Sequence, residues 1–333
     1  MSPSTTRKVT LAEVARRAGV SVATVSYVLN DKPGGRIPES TALTVRHAAD
    51  TLGYVPNIAA QTLRTGKSRV VLFIIPHLPI NFTVGELMTE LSSELTERGY
   101  VPSILTGRGD IDLAATLNAT SPIGAISMME LSAADKALLA KRGVALLETA
   151  TSNVGAMEEW SQSIQRDLVR RQVQHLLDKG HTKIGFARPK DDRLSQIADF
   201  RLETAREACK RAKLAAPVVR RFGLDSGEAD TAIAHWHERG VTAVLAYNDL
   251  WAMASVEAAR RAGLRIPEEL AVIGVDNIPL TTIIDPAITS VSLNMREYVR
   301  ALVQLLDDRV HGREEHPPVP DDRFIRLVQR KST

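Results

Sequence analysis

Residues 9–30 decide the fold of the N-terminal part of this chain and read VTLAEVARRAGVSVATVSYVLN. Thr10 and Glu13 have the spacing of a capping box, in which each side chain satisfies a free backbone amide at a helix start. Apolar residues then recur at helical spacing, and Gly19 is a typical helix stop. The stretch therefore begins with a short amphipathic helix that ends at the glycine.

Two more helices are predicted after that turn. Ser21 is a favourable N-cap for a helix over Val22–Leu29. Pro38 and Glu39 have the character of a helix start, and Gly53 ends the third helix. Two short helices joined by a turn that contains glycine form a helix-turn-helix, although the same pattern also fits any small three-helix domain.

The second helix exposes a small and mostly uncharged N-terminal face, which favours the helix-turn-helix. Such a face can approach the floor of the major groove, while basic residues on the flanking elements contact phosphates. The residues of this face are Val22, Ala23, Thr24, Ser26 and Tyr27. We expect Ser21 and Thr24 to bind phosphates, and Val22, Ala23 and Tyr27 to contact base edges.

Positive charge is concentrated in the same part of the chain. Residues 1–68 contain nine Lys and Arg against four Asp and Glu, a net charge of +5, which leaves −2 for the remainder. A basic N-terminal part on a slightly acidic body indicates nucleic-acid contact by that part alone. An ordinary solvated surface is the alternative explanation.

Length and composition restrict the class of protein. A chain of 333 residues with 44% apolar residues predicts two or three globular domains. Its single cysteine, Cys209, excludes a disulfide framework and a cysteine-based metal cluster. Because no signal peptide or stretch of about 18 apolar residues occurs, we expect a cytoplasmic protein without membrane contact. No cofactor or metal is predicted.

The chain changes pattern at Arg69, where short apolar strands begin to alternate with amphipathic helices. This alternation predicts an α/β fold with parallel sheets covered on both faces, and about 265 residues are long for one such sheet, so two lobes are expected. The predicted strands are Val70–Ile75, Ile123–Met128, Val144–Leu147, Lys183–Ala187, Val218–Phe222, Ala243–Tyr247 and Ala271–Val275.

Several motifs together resemble the lactose-repressor (LacI/GalR) family of transcriptional regulators. The N-terminal signature is residues 9–30, continued by Leu52-Gly53-Tyr54-Val55-Pro56-Asn57. The body, which in that family is like a periplasmic sugar-binding protein, matches at Gly180–Phe186, Arg201–Glu203, Asn248-Asp249, Ile266–Asn277 and Asp285–Val291. The resemblance covers essentially residues 9–330. Many members carry Arg where this chain has Tyr27, so the operator sequence is left open.

The resemblance implies a domain organisation. A helix-turn-helix domain spans 8–56, a hinge helix and linker span 57–68, and a two-lobed effector-binding and dimerisation domain spans 69–333. Lobe 1 takes about 69–162 and 293–321, and lobe 2 takes about 163–292 and 322–333. The chain then crosses between the lobes near 162, 292 and 322.

Further DNA contacts follow from the same resemblance. Paired hinge helices of a dimer enter the minor groove, where Leu63 corresponds to the leucine that separates a central base step, with Arg64 beside it. The alternative for Leu63 is packing within the linker. The implied DNA contacts outside the second helix are Thr10, Asn30, Tyr54, Asn57, Ala60, Leu63 and Arg64.

Ligands of open α/β sheets bind beyond the carboxyl ends of the strands, where few polar or aromatic residues stand in this chain. Those expected to hold an effector are Phe82, Thr83, Glu148, Arg201, Phe222, Asn248 and Asp276. Arg201 matches the family's arginine that grips ligand oxygens, and an Arg with a carboxylate suits a sugar-like polyol. Glu148 and Phe222 have an alternative role in capping a strand or filling space. Leu293 and Thr204-Ala205 depart from the family pattern and leave the effector open.

The function predicted from these features is a ligand-responsive transcription regulator. No phosphate-binding loop, metal pair or nucleophile elbow supports an enzyme. A free solute-binding receptor would share the body but would carry a signal peptide and no DNA-binding part. We expect a homodimer on a palindromic operator of double-stranded DNA, because the C-terminus has no heptad repeat to form tetramers. Repression is the expected outcome, with activation as the alternative.

Overall fold

A computed structural model describes residues 9–29, 37–54, 68–107, 112–149, 156–224 and 227–333 of the chain. The chain divides into two compact units, Met1–Ser68 and Arg69–Thr333. Each unit is described by itself below.

The N-terminal unit contains three helices, α1 (Leu11–Ala18), α2 (Val22–Leu29) and α3 (Glu39–Leu52). The predicted capping box is present at α1: the Thr10 hydroxyl oxygen accepts from the Glu13 backbone N–H at 3.4 Å, and the Glu13 carboxylate accepts from the Thr10 backbone N–H at 2.8 Å. Gly19 ends α1 with a left-handed φ of 67°. The helices pack around Val14, Val25 and Val45, one from each helix and all fully enclosed.

The first lobe of the body is built on a parallel sheet of four strands in the order β2-β1-β3-β4. The strands are β1 (Val70–Ile75), β2 (Val101–Thr106), β3 (Gly124–Ser127) and β4 (Ala145–Glu148). The helices of this part are α4 (Phe82–Glu97), α5 (Leu113–Thr120) and α6 (Ala133–Lys141). Strands β1 and β3 lie at the centre of the sheet and are almost entirely buried, as their continuous apolar sequences predict.

The second lobe contains a sheet of six strands in the order β10-β9-β8-β7-β5-β6. The strands are β5 (Ile184–Pro189), β6 (Val218–Phe222), β7 (Ala243–Ala246), β8 (Ala271–Val275), β9 (Thr289–Leu293) and β10 (Ile325–Val328). Its helices are α7 (Ala156–Asp178), α8 (Ser195–Arg211), α9 (Glu228–Glu238) and α10 (Asp249–Arg261). β5 lies between β6 and β7, so successive strands are added on opposite sides of β5. Ligands of open α/β sheets bind at such a switch point in the strand order.

The chain passes between the two sheets three times. It leaves β4 for α7 and β5, it leaves β9 for α11 (Met295–Val310), and it returns to the second sheet at β10. Helix α11 packs against α4, β3 and β4 of the first lobe. Trp160, Tyr298 and Phe324 meet near these passages: the rings of Trp160 and Tyr298 stack at 5.4 Å, and Phe324 packs edge-on to Trp160 at 6.1 Å.

Two strands differ from the pattern of buried parallel strands. β2 is absent from the predicted set because it is an edge strand with half of its side chains toward solvent, and it carries Pro102, a residue that edge strands tolerate. β10 pairs antiparallel with β9, so the second sheet is mixed at one edge.

Candidate nucleic-acid interface and effector cleft

Helix α2 presents the predicted face to solvent. Val22 and Tyr27 are 46% and 44% exposed, and Ala23 is exposed between them. Ser26 is half-buried. The opposite side of α2 places Val25 and Val28 in the core of the N-terminal unit. The helix thus anchors one side and leaves the other available to a partner.

Ser21 and Thr24 form the N-terminal end of this face. The Ser21 hydroxyl oxygen accepts from the Thr24 backbone N–H at 3.0 Å, which makes Ser21 the N-cap of α2. The two hydroxyls lie 2.9 Å apart. Since the start of a helix carries positive potential, hydroxyls at this position suit a phosphate oxygen.

Basic side chains flank the α2 face. Arg16 and Arg17 are exposed on the last turn of α1, and Arg46 is exposed on α3. Thr10 is exposed at the start of α1 and engaged in the capping box. Tyr54 is half-buried beside the core of this unit, and burial raises the pKa of its hydroxyl. The predicted DNA contacts Asn30, Asn57, Ala60, Leu63 and Arg64 lie outside the described residues.

Asp276 is the centre of a polar cluster in the body. It follows β8 directly, and both Asp276 (φ 101°) and Asn277 (φ 56°) have positive φ, a region that few residues other than glycine adopt, Asn and Asp more often than most. The Asp276 carboxylate is half-buried and accepts hydrogen bonds from the side chains of Thr83 and Asn248. Burial raises its pKa, while the charge of Arg201 and these two hydrogen bonds act in the opposite direction.

The partners of Asp276 come from both lobes. Thr83 lies in the first turn of α4, whose N-cap Asn81 accepts from the Val84 N–H at 3.0 Å. Asn248 is the buried N-cap of α10, and its side-chain oxygen Oδ1 accepts from the N–H groups of Leu250 and Trp251. Because that oxygen is occupied by the helix end, the amide nitrogen of Asn248 is directed to the carboxylate.

Arg201 is buried on α8 and held by two other residues. One guanidinium nitrogen donates to the Tyr247 carbonyl oxygen at 2.5 Å, and two others share the side-chain oxygen of Gln165 at 3.2 and 3.1 Å. The guanidinium also lies over the Tyr247 ring. Arg201 is close enough to Asp276 for its charge to act on that carboxylate.

A cavity of about 810 Å³ opens beside Asp276, with walls from both lobes. Its lining residues are Ile80, Asn81, Phe82, Gly85, Glu86, Thr89, Asp276, Asn277, Ile278 and Pro279. A second cavity, of about 600 Å³, shares Glu86, Asp276 and Asn277 with the first. It extends toward the passages between the lobes, and its other lining residues are Ser292, Leu293, Asn294, Met295, Glu297, Asp322, Arg323, Phe324 and Arg326.

Phe82 contributes an aromatic surface to the larger cavity. It is the first residue of α4 and is 53% exposed. The exposed ring gives this cavity an aromatic surface in addition to the polar groups of Asn81, Glu86, Asp276 and Asn277.

Glu148 and Phe222 occupy positions different from those expected. The buried Glu148 carboxylate accepts from the Leu131 N–H at 3.0 Å and pairs with Lys136 at 2.8 Å, so its oxygens are used within the first lobe. Phe222 is 0% exposed and packs edge-on to Trp236 in the core. The expected stacking of Phe222 on a ligand is therefore corrected: its ring fills the core of the second lobe.

Two candidate residues are absent from the predicted effector set, although Asp249 belongs to a motif that resembles the family. Glu86 lies one helical turn after Phe82 and lines both cavities, and burial raises its pKa, with further contributions from Glu90 and Asp276. Asp249 is 1% exposed at the start of α10, where burial and then the charge of Asp276 raise its pKa to about 7. Because Glu86 lies four residues after Phe82 on one helix, the sequence could have placed the two side chains on the same face. The burial of Asp249 depends on tertiary packing, which the sequence does not show.

Comparison with known proteins decides the family. The profile of "Bacterial regulatory proteins, lacI family" matches residues 10–57, and that of "Periplasmic binding protein-like domain" matches residues 173–333. The HTH-type transcriptional regulator reg1 of Streptomyces lividans is 32% identical over 97% of this chain and 96% of its own length. The chain belongs to the lacI family of bacterial regulatory proteins.

Solved structures agree with the fold of a LacI-family regulator. The lac repressor dimer bound to operator and the anti-inducer ONPF superposes with a TM-score of 0.75 at 22% identity, covering 98% of this chain and 99% of that one. A transcriptional regulator CelR–cellobiose complex gives 0.63 at 25% identity, covering 98% and 100%. The predicted family and the α/β fold class with an N-terminal helix-turn-helix are thereby confirmed.

The family also fixes the class of activity. LacI-family members are DNA-binding transcriptional regulators and not enzymes. Among the helices of the described residues, none is long and apolar enough to cross a membrane.

Proposed function

We propose that this LacI-family regulator is a homodimer that binds a palindromic operator and represses transcription. A small sugar-like effector bound between the lobes controls its affinity for the operator. The observation that carries the effector part is the meeting of Asp276, Asn248 and Arg201 beside a cavity lined by both lobes. A ligand that touches both walls changes the angle between the lobes, and only a ligand with different affinities for two such states shifts their populations.

The chemistry of the cleft favours a ligand rich in hydroxyl groups. The Asp276 carboxylate accepts hydrogen bonds from vicinal hydroxyls, while Asn248 and Arg201 fix its position and add donors. Phe82 offers an exposed ring to the apolar face of a sugar. Thr83 links the first lobe to the same carboxylate. These residues form the proposed effector site, and Glu148 and Phe222 are left out because their side chains are engaged elsewhere.

The proposed operator contacts follow from the exposed face of α2. Ser21, Thr24 and Thr10 bind phosphates, Val22, Ala23, Ser26 and Tyr27 approach base edges, and the flanking arginines supply the salt-dependent affinity. Two copies related by a twofold axis read two half-sites, which makes the operator palindromic. We propose Asn30, Tyr54, Asn57, Ala60, Leu63 and Arg64 as further contacts, with residues 57–68 as the hinge. Because its DNA partner lies in the bacterial cytoplasm, the same compartment is proposed for the protein.

We propose the same domain boundaries that the family resemblance implies. The DNA-binding domain takes 8–56 and the effector-binding and dimerisation domain takes 69–333, with its lobes divided near 162, 292 and 322.

Fluorescence anisotropy of the purified protein tests the DNA-binding part. Labelled DNA from upstream of its own gene and a scrambled duplex of equal length are titrated across a salt series. We expect sequence-dependent binding in the nanomolar range, at least a hundredfold tighter than to the scrambled duplex. Equal affinity for both duplexes would contradict an operator in that region.

The effector part is tested on the operator complex. Cellobiose, maltose and ribose are added to the complex, and thermal unfolding of the free protein is followed with each sugar. A sugar that raises the unfolding temperature and changes operator affinity supports the proposed cleft, and release of operator supports induction. If each of the three sugars leaves both readouts unchanged, the effector is not a simple sugar of this kind. A sugar that tightens operator binding would favour co-repression.

A further inference from the structure

Gln172 of α7 holds the ends of two neighbouring strands in the second lobe. Its side chain is 1% exposed, and its amide nitrogen lies 3.1 Å from the Ala246 carbonyl oxygen, 3.3 Å from that of Ile273 and 3.1 Å from that of Gly274. Two N–H bonds serve three carbonyls, so at least one bond is shared. One side chain is thus attached to both β7 and β8.

The position of Gln172 coincides with the end of strand pairing. The register of β7 with β8 ends at the pair Leu245–Ile273, and beyond it the two strands no longer pair. Buried carbonyl groups without a donor are costly, and a Gln amide nitrogen can only donate. Asn248 and Asp276 each follow two residues after a carbonyl that Gln172 binds. The glutamine therefore fixes both strand ends from which the effector residues extend.

A second glutamine on the same helix acts on the third effector residue. Gln165 lies seven residues before Gln172, so two helical turns place both side chains on one face of α7. The side-chain oxygen of Gln165 accepts from two nitrogens of Arg201. Together with the bond to the Tyr247 carbonyl oxygen, these two bonds fix the guanidinium plane as well as its position.

We propose that Gln165 and Gln172 are positioning residues of the effector site and that α7 acts on all three of its polar groups, on Arg201 directly and on Asn248 and Asp276 through the strand ends that precede them. The inference rests on the effector site proposed above. Helix α7 also carries Trp160, which stacks on Tyr298 at the passages between the lobes. The same helix therefore connects the passages between the lobes to the residues of the proposed effector site.

Hydrogen exchange measured by mass spectrometry on the full-length protein tests the role of Gln172. Gln172→Met keeps the length of the side chain but removes the donor. We expect exchange in segments 246–250 and 274–278 to become at least tenfold faster than in the wild type. Gln174→Met is the matched control, since Gln174 is exposed on the same helix and bonds only Asp178 among the hydrogen bonds of the described residues. It should leave both segments unchanged.

A loss of global stability must be separated from this local effect. Leu95→Ala removes a fully buried side chain of the first lobe, remote from the strand ends, and provides a destabilised reference. If Gln172→Met accelerates exchange in the two segments no more than Leu95→Ala does, the positioning role of Gln172 is refuted. Should Gln172→Met fail to fold, Gln172→Glu replaces it, because a protonated Glu donates one bond and should restore protection partly at pH 5 but not at pH 8.

The role of Gln165 has its own spectroscopic test. The Nε–H of Arg201 should give a slowly exchanging nitrogen–proton signal in the wild type, assigned by its loss in Arg201→Lys. Gln165→Leu should lose this slow exchange, and Gln165→Glu, which keeps an acceptor oxygen, should retain it. Equal exchange in both variants would overturn the proposal for Gln165. These experiments contain no effector, so they give an answer even where the sugar tests of the proposed function fail.

Discussion

Arg201 and Tyr247 are joined by two different contacts at once. The guanidinium carbon lies 4.9 Å from the centre of the Tyr247 ring, and a guanidinium nitrogen donates to the carbonyl oxygen of the same residue at 2.5 Å. Tyr247 immediately precedes Asn248, so the arginine is fixed to the backbone that presents another residue of the proposed effector site. Burial raises the pKa of the Tyr247 hydroxyl to about 12, and the ring therefore stays neutral beneath the cation at physiological pH.

We predict that Arg201→Lys weakens effector binding at least tenfold and leaves operator affinity without effector within twofold of the wild type. Lysine keeps the charge but loses the planar group that stacks on Tyr247 and forms paired bonds with Gln165. Calorimetric titration with a sugar that acts on the operator complex measures the first effect, and anisotropy measures the second.

The control for this prediction is Arg206→Lys. Arg206 lies on the same helix but is exposed and pairs with Glu203 at 3.2 Å, a contact of small energetic value. It should change neither quantity. An Arg201→Lys protein with wild-type sugar affinity would contradict the placement of Arg201 in the effector site.

Asp249 should make the stability of the body depend on pH. Its carboxylate is buried against Asp276 and accepts from the Ser290 hydroxyl and the Ile278 N–H at 2.7 and 2.8 Å. The folded pKa is about 7 and the ordinary value is 3.8, so between these limits the folded state holds a proton that the unfolded state has released. The free energy of unfolding therefore falls as pH rises from about 4 to about 7, by up to about 1.4 kcal/mol per pH unit for this group.

Asp249→Asn should flatten this part of the pH profile, because the amide does not titrate. Urea unfolding at half-unit steps from pH 4.5 to 7.5 measures the slope. Glu268→Gln, at an exposed position, is the control and should preserve the wild-type slope. If the slopes of Asp249→Asn and the wild type coincide, Asp249 is not the group responsible.

The sequence predicts the position of a residue well where that position depends on neighbours in the chain. It predicts the position poorly where contacts with distant parts of the chain decide it. The capping box at Thr10 and Glu13 and the stop at Gly19 are local, and the structure has them where the pattern predicts. Strand β2 is missed because the exposed edge of a sheet lacks a continuous apolar run. Phe222 is misplaced because a strand end can turn its side chain into the cleft or into the core, and only packing against Trp236 decides which.

The residues of the proposed effector site also divide into those that the sequence predicts and those that it does not. Asp276, Asn248 and Arg201 are predictable from strand ends and family motifs, and the structure brings them together. Gln165 and Gln172 carry no signal in the sequence, because a polar residue on a helix is ordinarily on its solvated face. The positioning role proposed for them depends on carbonyl and guanidinium groups that distant parts of the chain supply.

We expect that position 274 accepts only glycine while Asp249 is present. A Cβ at this position would lie 2.0 Å from a carboxylate oxygen of Asp249 and 3.2 Å from its Cα. We predict that Gly274→Ala lowers the free energy of unfolding by at least about 2 kcal/mol, as overpacking of a tight core does. A double-mutant cycle with Asp249→Ala measures the coupling by urea unfolding.

Removing Asp249 vacates the space that the new methyl group requires. The double variant should thus be less destabilised than the two single effects predict, by about 1 kcal/mol or more. Strict additivity would show that the clash with Asp249 is not what makes glycine necessary. Gly143→Ala, where a Cβ meets nothing within 4 Å but the backbone has a positive φ of 65°, serves as a control for strain without a clash.

Tyr27 should determine sequence preference rather than general affinity for DNA. It is 44% exposed on the α2 face, between the core-facing residues that fix the helix. We predict that Tyr27→Ala weakens binding to the operator by about 1–3 kcal/mol and barely changes binding to a scrambled duplex, because a base-edge contact exists only on the cognate sequence. Anisotropy with both duplexes from 50 to 200 mM salt measures the specificity ratio and the salt slope together.

The salt slope distinguishes a base contact from a phosphate contact. Tyr27→Ala should leave the slope of log affinity against log salt unchanged, since no counterion is released at an uncharged side chain. Arg17→Gln, at an exposed position on the last turn of α1, should instead weaken binding to both duplexes alike and reduce the slope by about one. If Tyr27→Ala lowers both affinities equally, its side chain supports the helix or the backbone contact, and sequence readout must come from other residues of the α2 face.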